Sequence, residues 1–398
     1  MSKVVVIGAG ASGIIASLVA SKNNEVILLE GNDKIGKKIL ITGNGRCNYW
    51  NSDISLKHYR FDRVDYMMSI LENKEEVFNY LTSLGIYPRI RNGYYYPNSN
   101  QASSVQEIFS KVLVNSDVNI VYNCKVCKIE KKGNKFIVKS NLDDIECDKV
   151  IVAAGGSSYP KTGSDGSGFK LLEEYHTIKK PLPSLVPLVT KEKIKDWANV
   201  RVEASIELFF EGDENSKGIE TGEIQLTDYG ISGIPVFNFS GMVSRLLYHG
   251  FNSYAYINFL PDVEDVYKFL NDRNKNINNH TVVDLLESVL PYQVVFVLLK
   301  KAGIERDLVW DNISEDKKKK LANLISGFKV EFEDTLSFDR SQVTTGGVPL
   351  SEINPETMES LKVPGLYIVG ELLDADGDCG GFNLGFAFIT GYIAGRGI

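Results

Sequence analysis

Histidine is scarce in this chain: four in 398 residues, isolated, with none of the spacings that build a metal site. No metal ligand set is therefore expected. Cysteine is also sparse. Five scattered cysteines are an odd number in a long chain, which argues against a disulfide framework and for reduced thiols. No run approaches the ~18 apolar residues needed to cross a bilayer. Basic residues show no excess, since the formal net charge is −7, and a nucleic-acid binder would carry a basic footprint. The opening "MSKVVVIGAGASG" runs straight into a glycine pattern without a signal-peptide core. These absences give the expectation of a cytoplasmic protein with a small-molecule substrate, no nucleic acid and no membrane. They leave the oligomeric state unassigned.

What is present begins at once. Lys3–Ile7 ("KVVVI") is a short apolar run of the kind buried on both sheet faces. Gly8-Ala9-Gly10-Ala11-Ser12-Gly13 follows as a full G-x-G-x-x-G, then an apolar helix, then a second strand ending in Glu30. Each part has a task. Gly8 permits the tight turn, Gly10 lets a pyrophosphate reach the backbone, and Gly13 lets the helix sit close to the strand. The helix start around Ala11 and Ser12 offers amides and a positive dipole end. Glu30, seventeen positions after Gly13, can accept from ribose hydroxyls and would repel a 2′-phosphate. This predicts a dinucleotide site without separating FAD from NAD.

A second glycine stretch follows directly, "GNDKIGKKILITGNGRCN" (31–48). Thr42-Gly43-Asn44-Gly45 reads as a compact turn that brings amides to a ligand, with Lys37, Lys38 and Arg46 adding positive charge. Further on, helical periodicity spans Phe61–Leu84, a hairpin turns at Asn92-Gly93, and strands run through Asn119–Ser140. Cys124 and Cys127 form a C-x-x-C inside a strand-like stretch, where positions i and i+3 point to opposite faces, so a redox pair is not expected. Strands then helices occupy the middle of the chain. Thr281 and Asp284 have capping-box spacing, and Lys317–Lys320 read as a solvated helix face. Near the end, "DADGDCGGFNLGFAF" resembles the start of a calcium loop, but Cys379 and Gly385 stand where that loop needs glycine and glutamate. Gly380-Gly381 instead opens an apolar helix whose small residues, Gly385, Gly391 and Gly395 among them, suit close packing against a sheet.

Five segments together resemble one family. "GKKILITGNGRCN", "VIVAAGGSSYPKTGSDGSG", "GEIQLTDYGISGIPV", "QVTTGGVPLSEI" and the closing "GLYIVGELLDADGDCGGFNLGFAFITGYIAG" occur in the order found in the BaiN-like and aminoacetone-oxidase-like FAD-dependent oxidoreductases. The resemblance spans essentially the whole chain. It implies an α/β fold: a Rossmann-like FAD-binding domain of the one-dinucleotide type, interrupted by an inserted β-barrel subdomain and a small helical subdomain. The expected boundaries are 1–182 and 335–398 for the FAD domain, 183–262 for the β insert and 263–334 for the helical insert.

The resemblance also implies FAD at the N-terminal site. Gly8, Gly10, Ala11, Ser12 and Gly13 would hold the diphosphate and Glu30 the adenosine ribose. Lys38, then Gly43, Gly45, Arg46, Cys47 and Asn48, would run past the diphosphate towards the flavin, with Val126 at the adenine. Ala154 and Gly155 belong to the second glycine segment, and Gly370 and Glu371 would hold the ribityl chain. Asp376 falls near the flavin by motif position. Gly381, Phe382, Asn383 and Leu384 would meet the pyrimidine end of the ring, where a helix N-terminus favours negative charge.

No residue is assigned as catalytic acid or base. No second G-x-G-x-x-G appears mid-chain, so NAD(P)H is expected only as a transient electron donor. The resemblance implies hydride transfer, NAD(P)H-driven reduction of an enone-like C=C bond in a small, steroid-like substrate. The alternatives are an oxidase of a small amine and, from another class, a non-catalytic flavin-binding or tRNA-modifying protein.

Overall fold

The computed structural model describes residues 1–277 and 280–398. They form two compact units, Met1–Pro183 with Phe338–Ile398, and Ser184–Ser337.

In the first unit, β1 (Lys3–Ile7), β2 (Glu25–Leu29), β7 (Val118–Val121), β11 (Lys149–Val152) and β20 (Leu366–Ile368) form a parallel sheet in the order β20-β11-β1-β2-β7. Valines and isoleucines fill it because both faces are covered. The order runs outward from β1 in both directions, so the carboxyl end of β1 is the switch point at which such sheets bind ligands. α1 (Ala11–Ala20) and α11 (Phe382–Arg396) pack on each other, and α4 (Ala102–Val114) also borders α1. The crossover from β7 to β11 is the meander β8 (Val126–Lys132), β9 (Lys135–Ser140) and β10 (Ile145–Cys147). The helical stretch after Phe61 is α2 (Val64–Leu71) and α3 (Lys74–Ser83).

The hairpin is β5 (Pro88–Arg91) with β6 (Tyr94–Pro97), extended by β3 (Trp50–Asn51). Asn92 and Gly93 both have positive φ, +50° and +83°, as a two-residue hairpin turn requires. Two further short ladders complete the unit: β4 (Tyr59–Arg60) with β21 (Asp376–Gly377), and β12 (Lys179–Ser184) with β19 (Val343–Gly347). α5 (Ser167–Leu172) follows the second glycine segment.

The second unit is a closed barrel, β13 (Leu188–Thr190), β16 (Gly230–Ser232), β15 (Ile219–Leu226), β14 (Val200–Phe210), β17 (Ser253–Asn258) and β18 (Phe328–Thr335). Two expectations change here. A helix, α6 (Ile234–Tyr248), lies within the segment read as pure β. And β18 closes the barrel only after α7 (Val266–Lys275), α8 (Val282–Glu287), α9 (Tyr292–Ala302) and α10 (Glu315–Ser326). Barrel and helices share one core, for example Trp197 with Phe259 and Phe328, so they are one body rather than two. Thr281 and Asp284 form the capping box. The four-lysine run is not uniformly solvated: Lys318 is buried with its ammonium over the Trp310 ring.

Candidate active site

The glycine loop is built by exclusion. The Gly8 amide donates to Leu29 O at 2.8 Å, and its φ of +101° is one that L side chains avoid. A Cβ on Gly13 would lie 1.9 Å from Gly8 O. A Cβ on Gly10 would meet nothing within 4 Å, so the middle glycine faces open space where the turn leaves room for a ligand. α1 starts there with neither a capping side chain nor an acid in its first turn, which leaves the positive helix end to a diphosphate. Ser12 is buried in that turn. Glu30 is buried at the end of β2. Its Oε2 accepts from the Ala9 amide at 2.9 Å and its Oε1 from the amide and side chain of Asn32, both at 2.8 Å. Three bonds orient a carboxylate that has about four acceptor sites, so capacity for a ribose hydroxyl remains. A dinucleotide fits this donor set and this open cradle.

The second stretch folds over the same edge of the sheet. The Gly36 amide donates to Ala9 O at 2.8 Å, and the Gly45 and Cys47 amides both donate to Thr42 O. Gly43, Asn44, Gly45 and Cys47 all have positive φ. Arg46 is exposed. The Cys47 thiol points into the core, and burial pushes its pKa up to about 12 despite a hydrogen bond from Thr42. Only the backbone of Cys47 is therefore available to a ligand. Asn48, with its amide oriented to donate, bonds Tyr95 O at 3.0 Å. Val126 opens β8, two residues after Cys124, whose amide donates to Glu30 O at 2.9 Å. Cys124 is buried and Cys127 exposed; Cys124 precedes β8, and Cys127 sits where the ladder register shifts between Val126 and Lys128, so the alternation expected of one continuous strand does not extend across the pair.

Past β11 and β20, one network ties the motifs together. Lys38 Nζ sits 2.6 Å from Glu371 Oε2, and Glu371 Oε1 accepts from the Thr344 amide at 2.7 Å. Thr344 Oγ1 accepts from the Ser157 amide at 2.8 Å and lies 3.1 Å from Ser158 Oγ. Gly155 has φ +73°, beside Ala154. A Cβ on Gly156 would strike Thr344 Oγ1 at 2.4 Å, and one on Gly370 would reach Ser12 Oγ at 2.7 Å. Segments far apart in sequence thus meet around the carboxyl end of β1.

The aspartate stretch is a set of ion pairs. Asp374 is held by Lys179 at 2.6 Å. Asp376, fully buried, accepts from Arg60 Nε at 2.8 Å and from Thr345 Oγ1 at 2.6 Å. Asp378 takes Arg60 Nη1 at 2.7 Å and His58 Nδ1 at 3.0 Å. Burial works against the charge of Arg60, but the two carboxylates outweigh it and hold its pKa above the ordinary value. Each of these aspartates is thus paired with a cationic side chain of the chain itself. Arg60, His58 and Lys179 were not legible as partners from sequence.

Gly381 caps α11 with φ +90°, and a Cβ there would lie 2.4 Å from Trp50 O. Phe382 is buried and Leu384 half-buried. The Asn383 side chain is turned back onto its own loop, accepting from the Gly377 amide and donating to Gly377 O, both at 2.8 Å. The small residues of α11 do not meet the sheet as expected. A Cβ on Gly391 would be 2.3 Å from Ser12 O and one on Gly395 2.6 Å from Ala16 O, so they let α11 lie against α1.

Comparison with known proteins matches residues 2–397 to the family described as HI0933-like protein Rossmann domain. The chain is 35% identical over 405 residues to the 3-dehydro-bile acid delta(4,6)-reductase of Clostridium scindens, covering 100% of this chain and 98% of the relative. It is 26% identical over 392 residues to the ribosomal RNA dihydrouridine synthase of Escherichia coli, covering 98% and 96%. In fold it is similar to the 3-ketosteroid-delta4-(5alpha)-dehydrogenase of Rhodococcus jostii RHA1, with a TM-score of 0.50 at 13% identity, covering 100% of this chain and 96% of that one.

Proposed function

The chain belongs to the HI0933-like Rossmann family and is a flavin-dependent oxidoreductase, and from that premise we propose that it reduces a carbonyl-conjugated C=C bond using FAD and NAD(P)H. The observation that carries this reading is full-length identity of 35% with a reductase whose name states an unsaturated keto bile acid as substrate. Bound FAD would supply the hydride chemistry. The chain's own residues would hold it. The amides of Gly10–Gly13 would face the diphosphate, the oriented Glu30 carboxylate the adenosine ribose, and Lys38 with Glu371 the segment beyond. Buried Thr344 and Thr345, bonded to Glu371 and Asp376, would lie near the flavin by motif position. The substrate favoured is a small enone of steroid type, and NAD(P)H would enter the pocket transiently.

A second substrate has one specific observation behind it. The Escherichia coli relative is named for dihydrouridine in ribosomal RNA, and uracil also carries a C=C bond conjugated with a carbonyl. The bond reduced is of one chemical type in both readings.

The test is anaerobic. Purified holoprotein is mixed with NADH or NADPH while flavin absorbance is followed, then a Δ4-3-keto steroid is added. Bleaching by a nicotinamide and recovery on adding the enone are expected. Absence of bleaching by either nucleotide sinks the reductase. Bleaching followed by recovery only with uridine-containing RNA moves the substrate to nucleic acid.

A further inference from the structure

We propose that one face of the β5–β6 hairpin recognises an acidic group of the substrate, with Arg89 and Arg91 as the receiving guanidiniums. This rests on the reductase reading for the identity of the substrate, though not for the binding itself.

Charge is the first argument. The chain has 51 acidic residues against 44 lysines and arginines, and three of its arginines outside the aspartate stretch are ion-paired: Arg63 with Asp65, Arg201 with Glu223 and Arg396 with Glu76. Arg89 and Arg91 are exposed, and among the described residues neither has an ion-pair or hydrogen-bond partner for its side chain. They stand two residues apart on one strand, so both side chains leave the same face about 7 Å apart. Like charges so placed repel, and a bound anion relieves that repulsion.

Position is the second argument. In the ladder Arg91 is opposite Tyr94 and Arg89 opposite Tyr96, so two tyrosines share the arginine face. Tyr95 points the other way, onto Phe78, and both are partly buried against the core. The arginine face continues into the candidate site. A Cβ on Gly380 would lie 2.5 Å from the Tyr94 ring, and Asn51, opposite Tyr94 in the next strand, donates to Gly380 O at 2.8 Å. The two guanidiniums therefore sit on the same face as residues touching the loop that opens α11.

Chemistry is the third. A guanidinium fork matches a carboxylate or a phosphate bidentately, and the tyrosine rings offer flat apolar surface beside it. A steroid acid would place its ring system towards Gly380 and its carboxylate on the hairpin. A nucleotide would use its phosphate in the same way.

The test uses holoprotein, the Arg89→Gln/Arg91→Gln double variant and the Arg89→Lys/Arg91→Lys variant. Each is titrated, by quenching of protein fluorescence, with a Δ4-3-keto steroid carboxylic acid, its methyl ester and a uridine-containing single-stranded RNA. We expect the wild type to bind the acid about tenfold tighter than the ester, as fits one charge-assisted contact. The Gln variant should lose that preference with ester binding unchanged, and the Lys variant should keep part of it. If only the RNA weakens in the Gln variant, and salt weakens its binding to the wild type, the anion is a phosphate and the proposal stands. Equal binding of acid and ester by the wild type, together with RNA binding that the Gln variant leaves unchanged, overturns it. Because binding needs no turnover, this result is separate from the reductase assay. An ester that is reduced while the acid gains no preference would uphold the reductase and sink the hairpin.

Discussion

Arg60 Nε lies 2.8 Å from Oδ2 of the fully buried Asp376, across a two-strand ladder joining positions 316 apart in sequence. Removing the guanidinium would take a countercharge from that buried carboxylate, which would keep its bond from Thr345 Oγ1. Arg60→Ala should therefore cost about 3–5 kcal/mol of stability. Urea unfolding followed by fluorescence checks this, and a loss below about 1 kcal/mol would show the pair to be dispensable.

Gly381 holds φ +90° with the Trp50 backbone 2.4 Å from where a Cβ would stand. Gly381→Ala should cost about 1–2 kcal/mol from the left-handed backbone alone. The added collision should displace the start of α11, so the variant should purify with less flavin. Visible absorbance relative to protein absorbance measures this. Undiminished flavin content at wild-type stability would contradict it.

Glu30 is oriented by three hydrogen bonds at the end of β2. Glu30→Gln keeps the shape but removes the charge. FAD affinity should fall about tenfold to a hundredfold, the worth of one or two hydrogen bonds to a charged group. Equilibrium dialysis of the apoprotein with FAD gives the number.

His176 is buried with Nδ1 2.8 Å from Glu352. Burial lowers its pKa below the ordinary 6.5, with the neighbouring carboxylate opposing more weakly. Burial alone would raise Glu352, but hydrogen bonds from Lys362, Thr177 and His176 hold it down at about 2. Both shifts carry the same sign. The neutral histidine contributes stability above pH 6.5 that is lost as pH falls through its folded value. The carboxylate contributes stability above its ordinary 4.5 that is lost on the way down to about 2. Urea midpoints should thus decline steadily below pH 6.5, and His176→Gln should flatten the upper part of that decline.

The Cys47 thiol, at about 12, is protonated at neutral pH, whereas Cys127 is exposed. Iodoacetamide should label Cys127 in the folded protein and leave Cys47 untouched until denaturant is added, as peptide mass spectrometry would show.

Much of this architecture was local enough to read directly. The first fingerprint is strand, turn, helix and strand in one continuous stretch, so the places of its glycines and of Glu30 in that unit follow from spacing. The same holds for the Asn92-Gly93 hairpin and the Thr281 capping box, whose geometry is set by neighbouring residues. The closing helix was also legible, since a long run of apolar and small residues follows Gly380-Gly381. What it packs on was not: small residues signal close approach but not to which surface, and that surface is α1. Lys318 was masked by the charge run around it, because burial of its stem depends on Trp310, which reaches it through the fold.

By itself, then, the sequence determined the turns, caps and glycine positions, because backbone conformation there depends on residues a few places apart. Tertiary structure alone decided the pairings Lys38–Glu371, Arg60–Asp376 and Lys179–Asp374. A charged side chain carries no mark of its partner, and only a sheet that gathers distant loops at one edge brings them within reach. It likewise decided that Arg89 and Arg91 would have no carboxylate opposite them, which no count of charges along the chain could reveal.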